Sequence, residues 1–213
     1  MVKEQLEKYK LTPVSIIPDH FGRPIWGLGA FTHPDPDVRQ AAVKETMDMV
    51  EAARFIGCDT ISIWNGQDGY DYPLQANYAD ASKWLVEGLR ECALAAPDIR
   101  FSLEYKPKEP RNHSFISNVW SAITYARECA LPNVGVTIDV GHSLEAYENV
   151  AEAICAAASR GPSCIGIHPE EKQSLLCHLY YEGSTGKYYY HPNRKHGTAA
   201  HATERKAATL HRG

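Results

Sequence analysis

A short apolar run that ends in a carboxylate and a histidine decides the fold: Val134-Gly135-Val136-Thr137-Ile138-Asp139-Val140-Gly141-His142. Pro132 and Asn133 precede the run, and a helical pattern follows it at residues 149–158. A strand that helices cover on both faces has this kind of nearly continuous apolar sequence. We therefore predict a buried strand over residues 134–140 within a parallel sheet.

The same alternation of strand and helix recurs along the first 160 residues. Further β-rich runs occupy residues 14–17, 60–64, 100–105 and 164–167. Longer helical patterns occupy residues 37–56, 78–95, 117–129 and 149–158, with a short amphipathic segment at residues 2–9. Repeated alternation at this spacing predicts a parallel α/β sheet, either doubly wound or closed into a barrel.

Residues that can carry chemistry collect at the carboxyl ends of these strands. Trp64, Glu104 and Asp139 each lie at or just beyond the end of a predicted strand. Parallel α/β folds bind their ligands at that edge of the sheet. The sequence has no Gly-x-Gly-x-x-Gly or Walker-type loop, which a nucleotide-binding sheet would carry. The pattern therefore favours a barrel.

Glu104, Asp139 and His142 form a candidate metal site. Two carboxylates and one imidazole make an oxygen-rich donor set that suits Mn²⁺, Mg²⁺ or Co²⁺ better than a structural zinc ion. Lys106 adds a cation that could hold a substrate oxygen. Each residue also has an ordinary explanation: Asp139 could cap a helix, Glu104 could pair with Lys106 or Arg111, and His142 could hydrogen-bond within a loop.

Four segments, in order along the chain, resemble the xylose isomerase-like TIM-barrel superfamily of sugar isomerases and epimerases. Residues 21–41 are similar to the family's loop and helix after its third strand, and residues 64–70 to its Trp-Gly-Gly-Arg-Glu-Gly segment. Residues 104–110 resemble its Glu-Pro-Lys-Pro-x-Glu-Pro segment, and residues 138–142 its sixth-strand segment with an acid and a histidine. The resemblance implies aldose–ketose isomerisation or epimerisation beside a carbonyl, with a divalent metal cofactor and a small sugar substrate.

The resemblance also implies a role for each candidate residue. Glu104 would bind a first metal ion, Asp139 would be a shared or second ligand, and His142 would bind a second ion and face the substrate. Lys106 would contact a carbonyl or hydroxyl oxygen of the sugar, and Trp64 would line the sugar pocket. Glu104, Lys106 and Asp139 would be the catalytic residues. Core packing is the alternative explanation for Trp64.

The departures from the family pattern predict an incomplete TIM (β/α) barrel with about five parallel strands, spanning residues 1–160. The family's first two strands, which carry a ring-opening His/Asp segment, would precede this chain. No segment after Arg160 matches the family's late His and Asp-x-Asp ligands. His168, near the place where that strand would lie, could be a weak substitute for one of them. We therefore expect a truncated chain that is weakly active or inactive.

Residues 161–213 differ from the rest of the chain in charge and patterning. They hold seven Lys or Arg and four Glu, a net +3, so residues 1–160 carry −7 of the total −4. Tyrosines and histidines follow one another without helical or strand periodicity. We interpret residues 161–213 as an irregular tail, either disordered or read from another frame.

The composition restricts where the protein can act and which kinds of partner it can bind. The chain has 213 residues, of which 44% are hydrophobic and 23% charged, and its six cysteines show no metal-binding spacing. The sequence predicts a cytoplasmic protein with reduced thiols, no membrane span and no nucleic-acid partner. Exposed sheet edges in an open barrel would favour a homo-oligomer.

Two other functions stay open at this point. One is a non-catalytic remnant that keeps a sugar-binding cleft. The other is an endonuclease IV-like nuclease that cuts abasic DNA with a larger metal cluster, against which the acidic charge of residues 1–160 weighs.

Overall fold

The computed structural model describes residues 2–160, 165–168, 177–182 and 187–192. The helices are α1 (Val2–Tyr9), α2 (Pro36–Ile56), α3 (Tyr78–Ala95), α4 (Val119–Cys129), α5 (Val140–Glu145) and α6 (Val150–Arg160). The strands are β1 (Thr60–Ile63), β2 (Gly69–Tyr70), β3 (Arg100–Glu104), β4 (His113–Ser114), β5 (Val134–Asp139), β6 (Ile165–His168), β7 (Cys177–Glu182) and β8 (Lys187–Pro192).

Four of these strands form one parallel sheet in the order β1-β3-β5-β6. Helices α3, α4 and α6 connect neighbouring strands, as the predicted strand–helix alternation requires. A complete (β/α) barrel has eight such strands, so the described residues supply half of that number. The predicted fold class, a partial TIM barrel, is confirmed.

The predicted strand at residues 14–17 is reduced to a single bridge. Ile16 pairs in parallel with Ile61 at the outer edge of β1, through hydrogen bonds from Ile16 N to Thr60 O and from Ser62 N to Ile16 O. Pro13 and Pro18 flank the segment and have no N–H to donate. Pro18 lies two positions after Ile16, where the next hydrogen bond to β1 would need its N–H, so the ladder cannot extend beyond Ile16 in that direction.

Helix boundaries follow the capping residues. The Asp35 side chain accepts from Asp37 N at the start of α2, and Gly57 ends the helix in the left-handed conformation with φ 78°. Asn77 caps α3, and Asn118 and Ser121 form a reciprocal capping box at the start of α4.

The core lies between the parallel sheet and helices α2, α3, α4 and α6. Phe31, from the loop before α2, is fully buried against α3, where a Cβ added to Gly88 would lie 2.5 Å from its Cδ1 atom. Cys92 and Cys129 are free and buried, and burial raises the pKa of each thiol to about 12. These thiols pack as small apolar groups.

Two strands lie in the segment where the sequence shows no periodicity. β7 and β8 pair antiparallel, with Cys177 opposite Pro192 and Glu182 opposite Lys187. Residues 161–164, 169–176, 183–186 and 193–213 lie outside the described residues, so the interpretation of 161–213 as a separate tail stays a prediction. Within the described part of the chain, no helix combines the length and apolarity that a bilayer crossing needs.

Candidate metal centre

Two neighbouring strands bring Glu104 and Asp139 to the same edge of the sheet. Glu104 is the last residue of β3 and pairs in register with Thr137 of β5. Asp139, the last residue of β5, lies two positions further along and therefore on the same face as Thr137. Both carboxylates thus reach the carboxyl edge, where this fold class binds ligands.

Asp139 also starts the short helix that presents His142. The Oδ1 atom of Asp139 accepts a hydrogen bond from His142 N at 3.0 Å, which makes Asp139 the N-cap of α5. The helix follows β5 with no intervening loop, so the imidazole turns back toward the carboxylates. The sequence did not predict this helix, because its six residues are too few to show a periodic pattern.

The three donors form one cluster. The Nδ1 atom of His142 lies 3.6 Å from Oε1 of Glu104 and 3.9 Å from Oδ2 of Asp139. One ligand atom from each residue lies within 4.8 Å of the other two, and Asp139 and His142 are buried. Two carboxylate oxygens and one imidazole nitrogen at this spacing could hold a divalent metal ion.

Hydroxyl groups line the sheet beside the cluster. Ser62 Oγ donates to Oε2 of Glu104 at 3.2 Å, which leaves Oε1 on the side of His142. Ser102 and Thr137 form a buried hydroxyl pair at 2.5 Å on the same sheet. The Ser62 contact orients the Glu104 carboxylate, as an outer-shell hydrogen bond to a ligand does.

Trp64 forms an aromatic wall next to the cluster. Its ring is nearly parallel to that of His142, with the centroids 6.5 Å apart and the planes at 20°. Phe21 packs edge-on against Trp64 with a centroid distance of 4.5 Å. A Cβ on Gly66 would lie 2.9 Å from the Trp64 ring, so this glycine leaves room for the indole. The sequence did not single out Phe21, because nothing local indicates how the loop before α2 turns.

Lys106 lies near the Trp64 ring. Its Nζ atom is 6.0 Å from the Trp64 ring centroid and 3.3 Å from Oε2 of Glu109, and its side chain is mostly buried. The structure thus brings Glu104, Asp139 and His142 into direct proximity and places Trp64 next to both His142 and Lys106. The pairing of Lys106 with Glu109 was not predicted.

A buried polar network supports the loop that carries Trp64. The Nδ1 atom of His20 donates to Asn65 Oδ1 at 3.0 Å, and Asp68 Oδ1 accepts from Ala30 N at 2.8 Å and from both N and Oγ1 of Thr32. Burial lowers the pKa of His20 and raises the pKa of Asp68. The network therefore holds the loop before α2 against the loop that carries Trp64.

His168, the predicted weak substitute ligand, lies at the end of β6 and pairs in register with Asp139. Its side chain lies outside the described part of the chain. A ligand role for His168 remains a prediction.

Residues 1–173 match the family model of the xylose isomerase-like TIM barrel. The chain therefore belongs to the xylose isomerase-like TIM-barrel family. The resemblance seen in the sequence is confirmed, and the match covers the parallel sheet and all three candidate donors.

Individual relatives include sugar-acting proteins. A xylose isomerase from Thermus thermophilus is 27% identical over 164 residues, which are 75% of this chain and 42% of that protein. A D-tagatose 3-epimerase-like protein of known structure is 20% identical with a TM-score of 0.65, over 81% of this chain and 61% of that one.

An AP endonuclease of family 2 from Brucella melitensis has a TM-score of 0.60 at 18% identity, over 78% of this chain and 62% of that one. At these identities the solved structures show the fold alone. The chain spans less than two thirds of the length of each of these three relatives.

Proposed function

We propose that the protein acts on sugars as a divalent-metal-dependent isomerase or epimerase, with Glu104, Asp139 and His142 as its metal ligands. The main support for this proposal is that one ligand atom from each of the three residues lies within 4.8 Å of the other two, at the carboxyl edge of the sheet. The family and its sugar-acting relatives support the substrate class.

The donor set suits the chemistry that aldose–ketose interconversion needs. A bound Mn²⁺, Mg²⁺ or Co²⁺ would polarise neighbouring sugar oxygens and stabilise negative charge on them. Glu104 and Asp139 supply the compensating negative charge, and their placement on adjacent strands of a rigid sheet keeps their oxygens at a fixed separation.

Trp64 and Lys106 form the proposed sugar pocket with the cluster. The face of the Trp64 ring, supported by Phe21, offers an apolar surface to the C–H face of a sugar. Lys106 supplies a cation for a carbonyl or hydroxyl oxygen, and Glu109 keeps its ammonium group oriented. This arrangement would bind the substrate between an aromatic wall and the metal ligands.

We propose that turnover by this polypeptide is weak or absent. The described residues bring three metal donors together, whereas the catalytic pattern that the sequence resembles uses a larger ligand set for two ions. Three donors leave about half of an octahedral coordination sphere to water or substrate. Such a site would hold one ion, and with fewer protein ligands it would bind that ion less tightly.

Calorimetric titration with Mn²⁺, combined with a ketose–aldose conversion assay on a panel of small sugars, tests the proposal. We expect one Mn²⁺ per chain and conversion near the detection limit. Glu104→Gln should abolish the binding heat, while Glu109→Gln, which leaves the cluster intact, should preserve it. Tight binding of two ions with rapid turnover would overturn the proposal of weak activity, and no binding would overturn the metal site.

The same preparation distinguishes the two alternative functions. Sugar binding without Mn²⁺ dependence or turnover would favour a non-catalytic binding module. Cleavage of an abasic DNA duplex, the activity suggested by the AP endonuclease of similar fold, would favour the nuclease.

A further inference from the structure

Glu148 lies in the turn between α5 and α6. Its carboxylate accepts hydrogen bonds from α5, from the start of α4 and from the residue that follows β3. Its Oε2 atom accepts from Tyr105 Oη at 2.6 Å and from Ser143 Oγ at 2.9 Å. Its Oε1 atom accepts from Val119 N at 2.8 Å, in the first turn of α4. The carboxylate also lies where the positive end of the α4 dipole favours negative charge.

The two hydroxyl donors adjoin the candidate metal ligands in the sequence. Tyr105 directly follows Glu104, and Ser143 directly follows His142. Tyr105 and Ser143 are fully buried. Successive residues of an extended chain point to opposite faces. Glu104 therefore points toward the cluster, and Tyr105 points to the other face of the sheet.

The backbone of the turn directs Glu148 toward these donors. Tyr147 has φ 57°, in the left-handed region, and its side chain is 98% exposed. Glu148 N then donates to Ser143 O at 3.0 Å, which folds the chain back against α5. A residue in this conformation commonly ends a helix and reverses the direction of the chain.

We propose that Glu148 is a positioning residue that holds Glu104 and His142 in one cluster. It fixes α5 through Ser143 and the end of β3 through Tyr105, so the two donors cannot separate without loss of these hydrogen bonds. The inference extends the proposed metal site and rests on it. Nothing in the sequence of the turn marks Glu148, because its partners lie 5, 29 and 43 residues away along the chain.

Mn²⁺ affinity measured by calorimetry, together with thermal unfolding of the metal-free protein, tests the inference. Glu148→Ala should weaken Mn²⁺ binding by about tenfold, the lower end of the roughly 10–100-fold effect of losing a direct partner of a metal ligand, because Glu148 acts through the neighbours of the ligands. Glu148→Gln should restore most of the affinity, because its amide oxygen can accept from Val119 N while the two hydroxyls accept from its NH₂ group. Tyr105→Phe should give an intermediate loss.

Glu145→Ala is the matched control, since Glu145 is the last residue of α5, three positions before Glu148, and is exposed. It should leave Mn²⁺ affinity unchanged. A lowered melting temperature with native Mn²⁺ affinity in Glu148→Ala would mean a merely structural role and would overturn the inference. If Glu148→Ala does not fold, native affinity in Tyr105→Phe would overturn it equally.

A metal-free crystal structure of Glu148→Ala separates this inference from the proposed function. We expect the distance between His142 Nδ1 and Glu104 Oε1 to increase clearly beyond 3.6 Å. An unchanged distance would overturn the positioning role. Absence of Mn²⁺ binding by the native protein would instead overturn the proposed function, and the crystallographic distance would still decide the role of Glu148.

Discussion

His142 and Glu104 come from different strand–helix units, and their side chains meet with Nδ1 3.6 Å from Oε1. The contact depends on two local features. β5 passes directly into α5, which turns the imidazole back over the sheet edge, and Ser62 holds the other oxygen of Glu104. The path of the chain from β5 into α5 and the hydrogen bond from Ser62 therefore together position the two side chains.

Asp139→Asn should separate metal binding from helix capping. Asparagine caps helices about as well as aspartate, so the melting temperature should stay near that of the native protein. Loss of the negative charge should weaken Mn²⁺ binding by more than the roughly 10–100-fold typical of outer-shell changes. Calorimetry and thermal unfolding measure both quantities.

Asp139→Ala is the comparison variant. It should lose Mn²⁺ binding and also about 0.5–2 kcal/mol of unfolding free energy, because the first turn of α5 loses its cap. Equal stability of the alanine and asparagine variants would contradict the capping role.

Trp64→Ala should weaken sugar binding more than Trp64→Phe. Phenylalanine keeps an aromatic face next to Phe21 and His142 on which the C–H face of a sugar can pack, whereas alanine removes that face. Ligand titrations with a ketose in the presence of Mn²⁺ measure the difference. Equal sugar affinity of both variants and the native protein would show that Trp64 serves only the core.

Gly88→Ala should destabilise the protein even though alanine favours helices. The added methyl group would meet the Phe31 ring at 2.5 Å in a closed part of the core, and overpacking of this kind costs about 1–3 kcal/mol. The gain in helix propensity offsets about 1 kcal/mol of that cost. Urea unfolding measures the net loss.

Glu87→Ala is a suitable control for the glycine variant, since Glu87 neighbours Gly88 in α3 and is exposed. Its unfolding free energy should stay within about 0.5 kcal/mol of the native value. A Gly88→Ala protein that is more stable than the native one would refute the close packing of Phe31 against α3.

His20 should make the protein less stable at acidic pH. Burial lowers the pKa of His20 below the ordinary value of 6.5. Below pH 6.5, His20 is therefore protonated in the unfolded chain while it stays neutral in the folded protein. The unfolding free energy should therefore fall with decreasing pH, by at most about 1.4 kcal/mol per pH unit, until the pH reaches the lowered pKa. Urea unfolding at a series of pH values measures this slope.

His20→Gln should remove that part of the pH dependence. Asp68 remains in the variant, and its raised pKa acts in the opposite direction because burial favours its neutral form in the folded state. His113→Gln, at an exposed histidine, should retain the native slope. A native slope in His20→Gln would refute the prediction.

The elements could be predicted from sequence where local signals define them. Asp35 and Gly57 mark the ends of α2, and the apolar run before Asp139 marks a buried strand. Glu104 and Asp139 could be assigned to one edge, because all parallel strands present their carboxyl ends there.

The rest depends on contacts that no local pattern encodes. Phe21 and Glu148 lie in turns whose paths are set by partners far along the chain, and α5 is too short to show periodicity. The ladder at Ile16 ends at Pro18, which has no N–H for the next hydrogen bond to β1. Side-chain geometry at the site therefore required the folded structure.

The two oxygens of Asp139 have different contacts: Oδ1 caps the start of α5, and Oδ2 lies 3.9 Å from Nδ1 of His142 in the candidate metal site. A lineage that lost metal binding would still be under selection to retain an aspartate or asparagine here for the helix alone. Glu104 is not the N-cap of any described helix, so other residues would be tolerated at this position once metal binding is lost. Among relatives of this protein, the residue at position 104 should therefore report on metal dependence more faithfully than the residue at position 139.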